Sequence, residues 1–162
     1  MRTNSDRYIV HYSSKHLSSK DLVRFYYALK GRGNTPGVLA DTHSMYVTRA
    51  VIETPASGIA SIKYFLNGWG CKYKLFRITS KVDATHKLFI FNSSKLNGSK
   101  KVRFFYQLKG RGSTKGILSE TSATSVAKSV VLVSNKSYLK LVMFFRKWNC
   151  DFSVKEVRLD AK

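Results

Sequence analysis

Residues 29–33 read Leu-Lys-Gly-Arg-Gly, and residues 108–112 repeat them letter for letter. An aromatic run of helical character precedes each copy, Val23 to Tyr27 in the first and Val102 to Tyr106 in the second. A glycine and an aliphatic pair follow each, Gly37-Val38-Leu39 and Gly116-Ile117-Leu118. Self-similarity on this scale is the signature of one structural unit made twice. It divides the 162 residues into a first repeat over 1–80 and a second over 81–162. Each half is long enough for a small core and marginal in isolation.

The order of elements is the same in both halves. In the first, Tyr8 to Tyr12 is rich in β-branched and aromatic residues and predicts a strand. Ser18 or Ser19 caps a predicted helix from about Lys20 to Lys30, with Leu22, Phe25, Tyr26 and Leu29 on one apolar face and Gly31 as its stop. Residues 38–54 predict two strands joined by a turn near 42–45. Ser57 then opens a second helix, and Cys71 to Ile78 is a last strand. A polar linker is expected over 79–85. The second half repeats this with a strand at 87–91, a helix at 99–109, two strands over 117–134, a helix at 137–148 and a strand at 150–159. Each half therefore reads β-α-β-β-α-β, which predicts an α+β fold: a tandem duplication of a ferredoxin-like unit, with two helices on one face of a four-stranded antiparallel sheet.

Two details of the strands carry expectations of their own. Asp41 and Glu120 are placed opposite Arg49 and Lys128 across the paired strands, as ladder-stabilising ion pairs. The outward face of the first strand is read as Arg7, Ile9 and His11, matched by Lys87, Phe89 and Phe91. The last two are candidates for stacking bases.

Charge sets the class of partner. Lys and Arg number 29 against 9 Asp and Glu, a formal charge of +20. Residues 1–80 hold 12 basic and 4 acidic residues and residues 81–162 hold 17 and 5, so both halves are basic. A basic folded unit repels itself unless a polyanion meets it, and nucleic acid is the expected partner. No apolar run is long enough to span a membrane. The polar residues 1–12 lack a secretory core segment, so an intracellular location is expected. Cys71 and Cys150 follow Trp69 and Trp148 at matching places and are read as small buried residues rather than metal ligands.

The duplicated turns are the candidate site. Glycines permit close backbone approach to a phosphate, Arg32 and Arg111 can fork onto its oxygens, and Lys30, Lys109 and Lys115 add charge. Arg24 and Arg103 extend the patch along the preceding helices. The competing reading is a plain helix stop. No cofactor, metal or catalytic set is predicted. His11, His16, His43 and His86 align with no histidine in the other half. The layout resembles RNA-binding proteins of ribonucleoprotein particles and the CRISPR RNA-processing endonucleases. The first resemblance implies non-enzymatic binding of structured RNA. The second implies RNA cleavage, with His16 as the one general-base candidate. Duplex-DNA binding by a pseudo-dimer is the remaining alternative.

Overall fold

The computed structural model describes residues 6–79 and 83–159. Residues 80–82 of the expected linker lie outside the described residues. The fold is mixed α+β, with six α-helices among the described residues and mostly antiparallel strand pairing, and it falls into two compact units that meet in sequence at Ile78 and Thr79.

The first unit runs β1 (Arg7–Ser13), α1 (Ser19–Lys30), β2 (Gly31–Arg32), β3 (Thr35–Pro36), α2 (Val38–Asp41), β4 (Met45–Thr48), β5 (Val51–Pro55), a 3-10 turn (Ala56–Gly58), α3 (Ile59–Gly68) and β6 (Lys72–Ile78). The second runs β7 (His86–Asn92), α4 (Gly98–Lys109), β8 (Gly110–Arg111), β9 (Thr114–Lys115), α5 (Ile117–Glu120), β10 (Thr124–Ala127), β11 (Val130–Ser134), α6 (Tyr138–Lys147) and β12 (Asp151–Arg158). Every element of the second begins 79 residues after its counterpart: 7 and 86, 19 and 98, 72 and 151. Within the first unit the strands lie in the order β6-β1-β5-β4, and within the second β12-β7-β11-β10.

Local chemistry explains the first long helix. Ser18 accepts the Asp21 amide at 3.2 Å while its hydroxyl donates to the Asp21 carboxylate at 2.7 Å. Such a cap satisfies an orphan amide, and the acid complements the positive helix end. One stripe of α1 then buries Phe25 and Leu29 against Val10 and Tyr12 of β1, Ile52 of β5, and Ile62 and Leu66 of α3. In the second unit the same positions are more aromatic. Phe91 and Phe145 have ring centroids 4.9 Å apart, and Phe89 stacks with Phe145 at 5.6 Å, where the first unit has Val10 and Leu66. Burying each such ring contributes roughly 1.5–3 kcal/mol.

Three sequence expectations are corrected. Val38 to Asp41 is a short helix rather than a strand. Its apolar pair tucks Leu39 inward, and the Thr42 hydroxyl donates to the Val38 carbonyl at 2.7 Å, closing the single turn. Asp41 and Glu120 therefore sit on α2 and α5, and neither opposes Arg49 or Lys128; β4 pairs β5 with Met45 opposite Glu53 instead. Ser57 lies inside the 3-10 turn, and α3 has no side-chain cap. The third correction concerns register. At a spacing of 79, His11 matches Ile90 and Tyr12 matches Phe91. The expected match was one residue off, which inverts every side chain of a strand. Phe89 and Phe91 consequently belong to the helix-covered core and are not available to stack bases.

Candidate nucleic-acid interface

The repeated turn is a helix stop fused to a tight hairpin. Gly31 ends α1 with φ 93, and its amide donates to the Tyr27 carbonyl. Gly31 and Arg32 then pair with Pro36 and Thr35, leaving Gly33 and Asn34 as the loop. Gly33 has φ 58, the positive value that the first position of a two-residue hairpin loop demands. The second unit repeats this with Gly110 at φ 91 and Gly112 at φ 57. The backbone nest considered from sequence loses a donor, because the Gly31 amide is already bonded. The hairpin accounts for the second glycine, which a simple stop does not.

The same hairpin sets the direction of the basic side chains. The guanidinium carbon of Arg32 lies 4.7 Å from the centroid of the Tyr27 ring, and that of Arg111 lies 4.6 Å from Tyr106. Tyr27 is five residues upstream, on the last turns of α1, and the chain reversal at Gly31 brings Arg32 back over it. Lys30 has its ammonium 3.4 Å from the centroid of Tyr46. Lys109 lies 5.8 Å from Phe105, and Ser125 stands where the first unit has Tyr46. Arg24 and Arg103 are exposed one helical turn and more before the hairpins, and Lys115 is exposed on β9. Thus Lys30 and Arg32 lie at the C-terminal end of α1 and Lys109, Arg111 and Lys115 at that of α4, with Arg24 and Arg103 about two turns earlier on the same helices. All seven are exposed. Arg24 meets Asp21 at 3.9 Å, a surface contact worth at most about 1 kcal/mol.

The sequence reading missed Val23, Tyr27, Val102 and Tyr106. They are 50%, 44%, 47% and 40% exposed. The signal was present: the apolar face of α1 is Leu22, Phe25, Tyr26 and Leu29, and helical geometry puts Val23 and Tyr27 off that face, one turn apart. Among the described residues, the positions that are exposed in both units and carry the same residue are Val23, Arg24, Tyr27, Lys30, Arg32, Gly33 and Thr35 with their counterparts. Every one lies in the helix-hairpin element. Identities elsewhere are buried, such as Leu39, Thr42, Val51 and Cys71 with their counterparts, or half-buried, such as Val47 and Val126.

Nε2 of His16 is 2.9 Å from the Trp69 carbonyl. A carbonyl only accepts, so Nε2 donates in this contact. Cys71 and Cys150 are free and buried, and burial pushes both thiols up, away from the reactive thiolate. No cluster of metal-ligating side chains occurs among the described residues, nor does any helix long and apolar enough to cross a membrane. His11 lies on β1 opposite Lys74 of β6, and burial first and the Lys74 charge second hold its pKa below the ordinary value. The unfolded chain thus takes up this proton before the folded one. Stability is expected to be level above about pH 6.5 and to fall as pH drops below it. The fall in melting temperature across that window is expected to shrink in His11→Gln; an equal fall in both proteins would remove His11 as its source.

No family model and no curated protein matches the chain. One solved crystal structure, provisionally described as a glycine cleavage system transcriptional repressor, is similar at 12% identity over 92% of this chain and 95% of its own, with a TM-score of 0.25. At that score the likeness carries no argument.

Proposed function

We propose that the chain is a non-enzymatic nucleic-acid-binding protein made of two ferredoxin-like units, and that structured RNA is its target. The fold assignment is supported by the four long strands of each unit, whose order 4-1-3-2 in sequence rank accompanies a βαββαβ connection. One observation carries the function. After duplication, the exposed residues that stayed the same in both copies are confined to one helix and hairpin, and they are rich in arginine and lysine. Core packing does not account for exposed Arg24, Lys30 and Arg32 or for their twins. A polyanion accounts for all of them, because each cation that meets a phosphate releases a counterion. The guanidinium groups are held over tyrosine rings, which orients a planar fork toward phosphate oxygens before binding.

The test is the salt dependence of binding to a structured RNA. Arg32→Ala with Arg111→Ala should weaken binding and flatten the slope of log K against log salt by about two units, one per lost phosphate contact. An unchanged slope assigns both arginines to the hairpin alone and ends the proposal. Competition with duplex DNA decides the target: DNA that displaces the RNA at equal concentration overturns the choice of RNA.

A further inference from the structure

We propose that Tyr27 and Tyr106 each stack one unpaired base, so that the two patches select single-stranded segments of nucleic acid over continuous duplex. This rests on the nucleic-acid reading above and specifies what it binds. Phosphate contact alone needs only cations. It gives no reason to hold a valine and a tyrosine in the open, one turn apart, at the same places in both units. The tyrosine is singled out by comparison with its neighbour. Tyr26, which packs edge-on to Phe25 and donates its hydroxyl to the Arg49 carbonyl, became Phe105 in the other copy. Tyr27, with 44% of its surface open, is Tyr106 there.

The geometry suits a base. The guanidinium of Arg32 or Arg111 lies over its tyrosine ring, so a base joins the pair by stacking on the exposed guanidinium or on the ring face it leaves uncovered. Unpaired bases stack on both kinds of surface. Arg32 lies over the ring, and Arg24 and Lys30 are three residues before and after Tyr27 on the same helix, so a nucleotide can set its base on the tyrosine and its phosphate against a cation. Val23, on the same helix face, adds apolar surface beside the ring. A base inside a duplex has no free face to offer, and reaching it requires flipping it out of the stack.

The experiment compares three probes of roughly 12 nucleotides, within the usual span of single-strand sites: oligouridine, an abasic strand with the same phosphates, and a blunt RNA duplex. The wild-type protein is expected to bind oligouridine at least about fivefold more tightly than the abasic strand, from stacking on the tyrosines. Tyr27→Leu with Tyr106→Leu should erase that preference while abasic binding persists, and Tyr27→Phe with Tyr106→Phe should keep it. Both positions are exposed and leucine and phenylalanine fit a helix, so the variants fold. No preference in the wild type, a preference that survives the leucine variant, or a duplex that binds as tightly as oligouridine overturns the inference. If the arginine variants still flatten the salt slope in those cases, phosphate binding stands without base stacking. A wild-type protein that binds none of the probes at low salt overturns both.

Discussion

Gly37→Ala is expected to destabilise the first unit by about 3 kcal/mol or more, and Gly116→Ala to do the same to the second. The cause is steric. A Cβ on Gly37 would lie 2.3 Å from the Gly31 nitrogen and 2.5 Å from the Leu29 carbonyl oxygen. On Gly116 it would meet Gly110 and Leu108 at the same distances. These are backbone atoms at the end of a helix, and they cannot turn aside as a side chain could. Backbone conformation plays no part, because Gly37 has φ −103 and ψ 176, which alanine adopts freely. Gly33→Ala separates the two effects. Its φ of 58 disfavours alanine by about 1–2 kcal/mol, yet nothing lies within 4 Å of the added carbon. Urea unfolding should therefore rank Gly37→Ala well below Gly33→Ala. A Gly37→Ala midpoint equal to that of Gly33→Ala would show that the crossing of chains at Gly31 is looser than described.

That crossing explains which parts of the protein were legible in the sequence. The glycines and arginines of the turn announced themselves by repetition, and the four long helices by apolar spacing. Two things did not. The Gly37-Val38-Leu39 segment looks like a strand by local propensity. It is a helical turn because Gly37 must press against Gly31 and Leu39 must reach the core, a tertiary demand that propensity does not encode. The face of the first strand depended on a register that Tyr12 and Phe91 blur, since both halves alternate between aromatic and aliphatic residues there. The exposed tyrosines were hidden for a related reason. In a run of Phe25, Tyr26 and Tyr27, only the helical phase shows which ring points away from the core.

Glu156→Leu is expected to cost about 3 kcal/mol, and adding Lys87→Met is expected to restore most of it. Cross-strand pairing of acid and base does occur in this protein, on other strands than the sequence suggested. Lys87 of β7 stands directly opposite Glu156 of β12, with its ammonium 2.5 and 2.7 Å from the two carboxylate oxygens and 4.5 Å from the Tyr138 ring centroid. The lysine side chain is 6% exposed and the glutamate 26%. Removing the acid strands a buried ammonium, whereas removing both charges leaves an apolar pair against Tyr138. The partial exposure of Glu156 keeps the single cost at the low end of the range known for buried pairs. The first unit has Tyr8 and Arg77 at these positions and holds a different pair, half-buried Arg7 with buried Glu53 at 2.8 Å. The inner ion pair thus differs between the two units while the exposed helix-hairpin residues are the same in both, which packing alone does not explain. A double-mutant cycle by urea unfolding checks the prediction, and equal stability of Glu156→Leu and of the double variant would show that the pair carries no coupling.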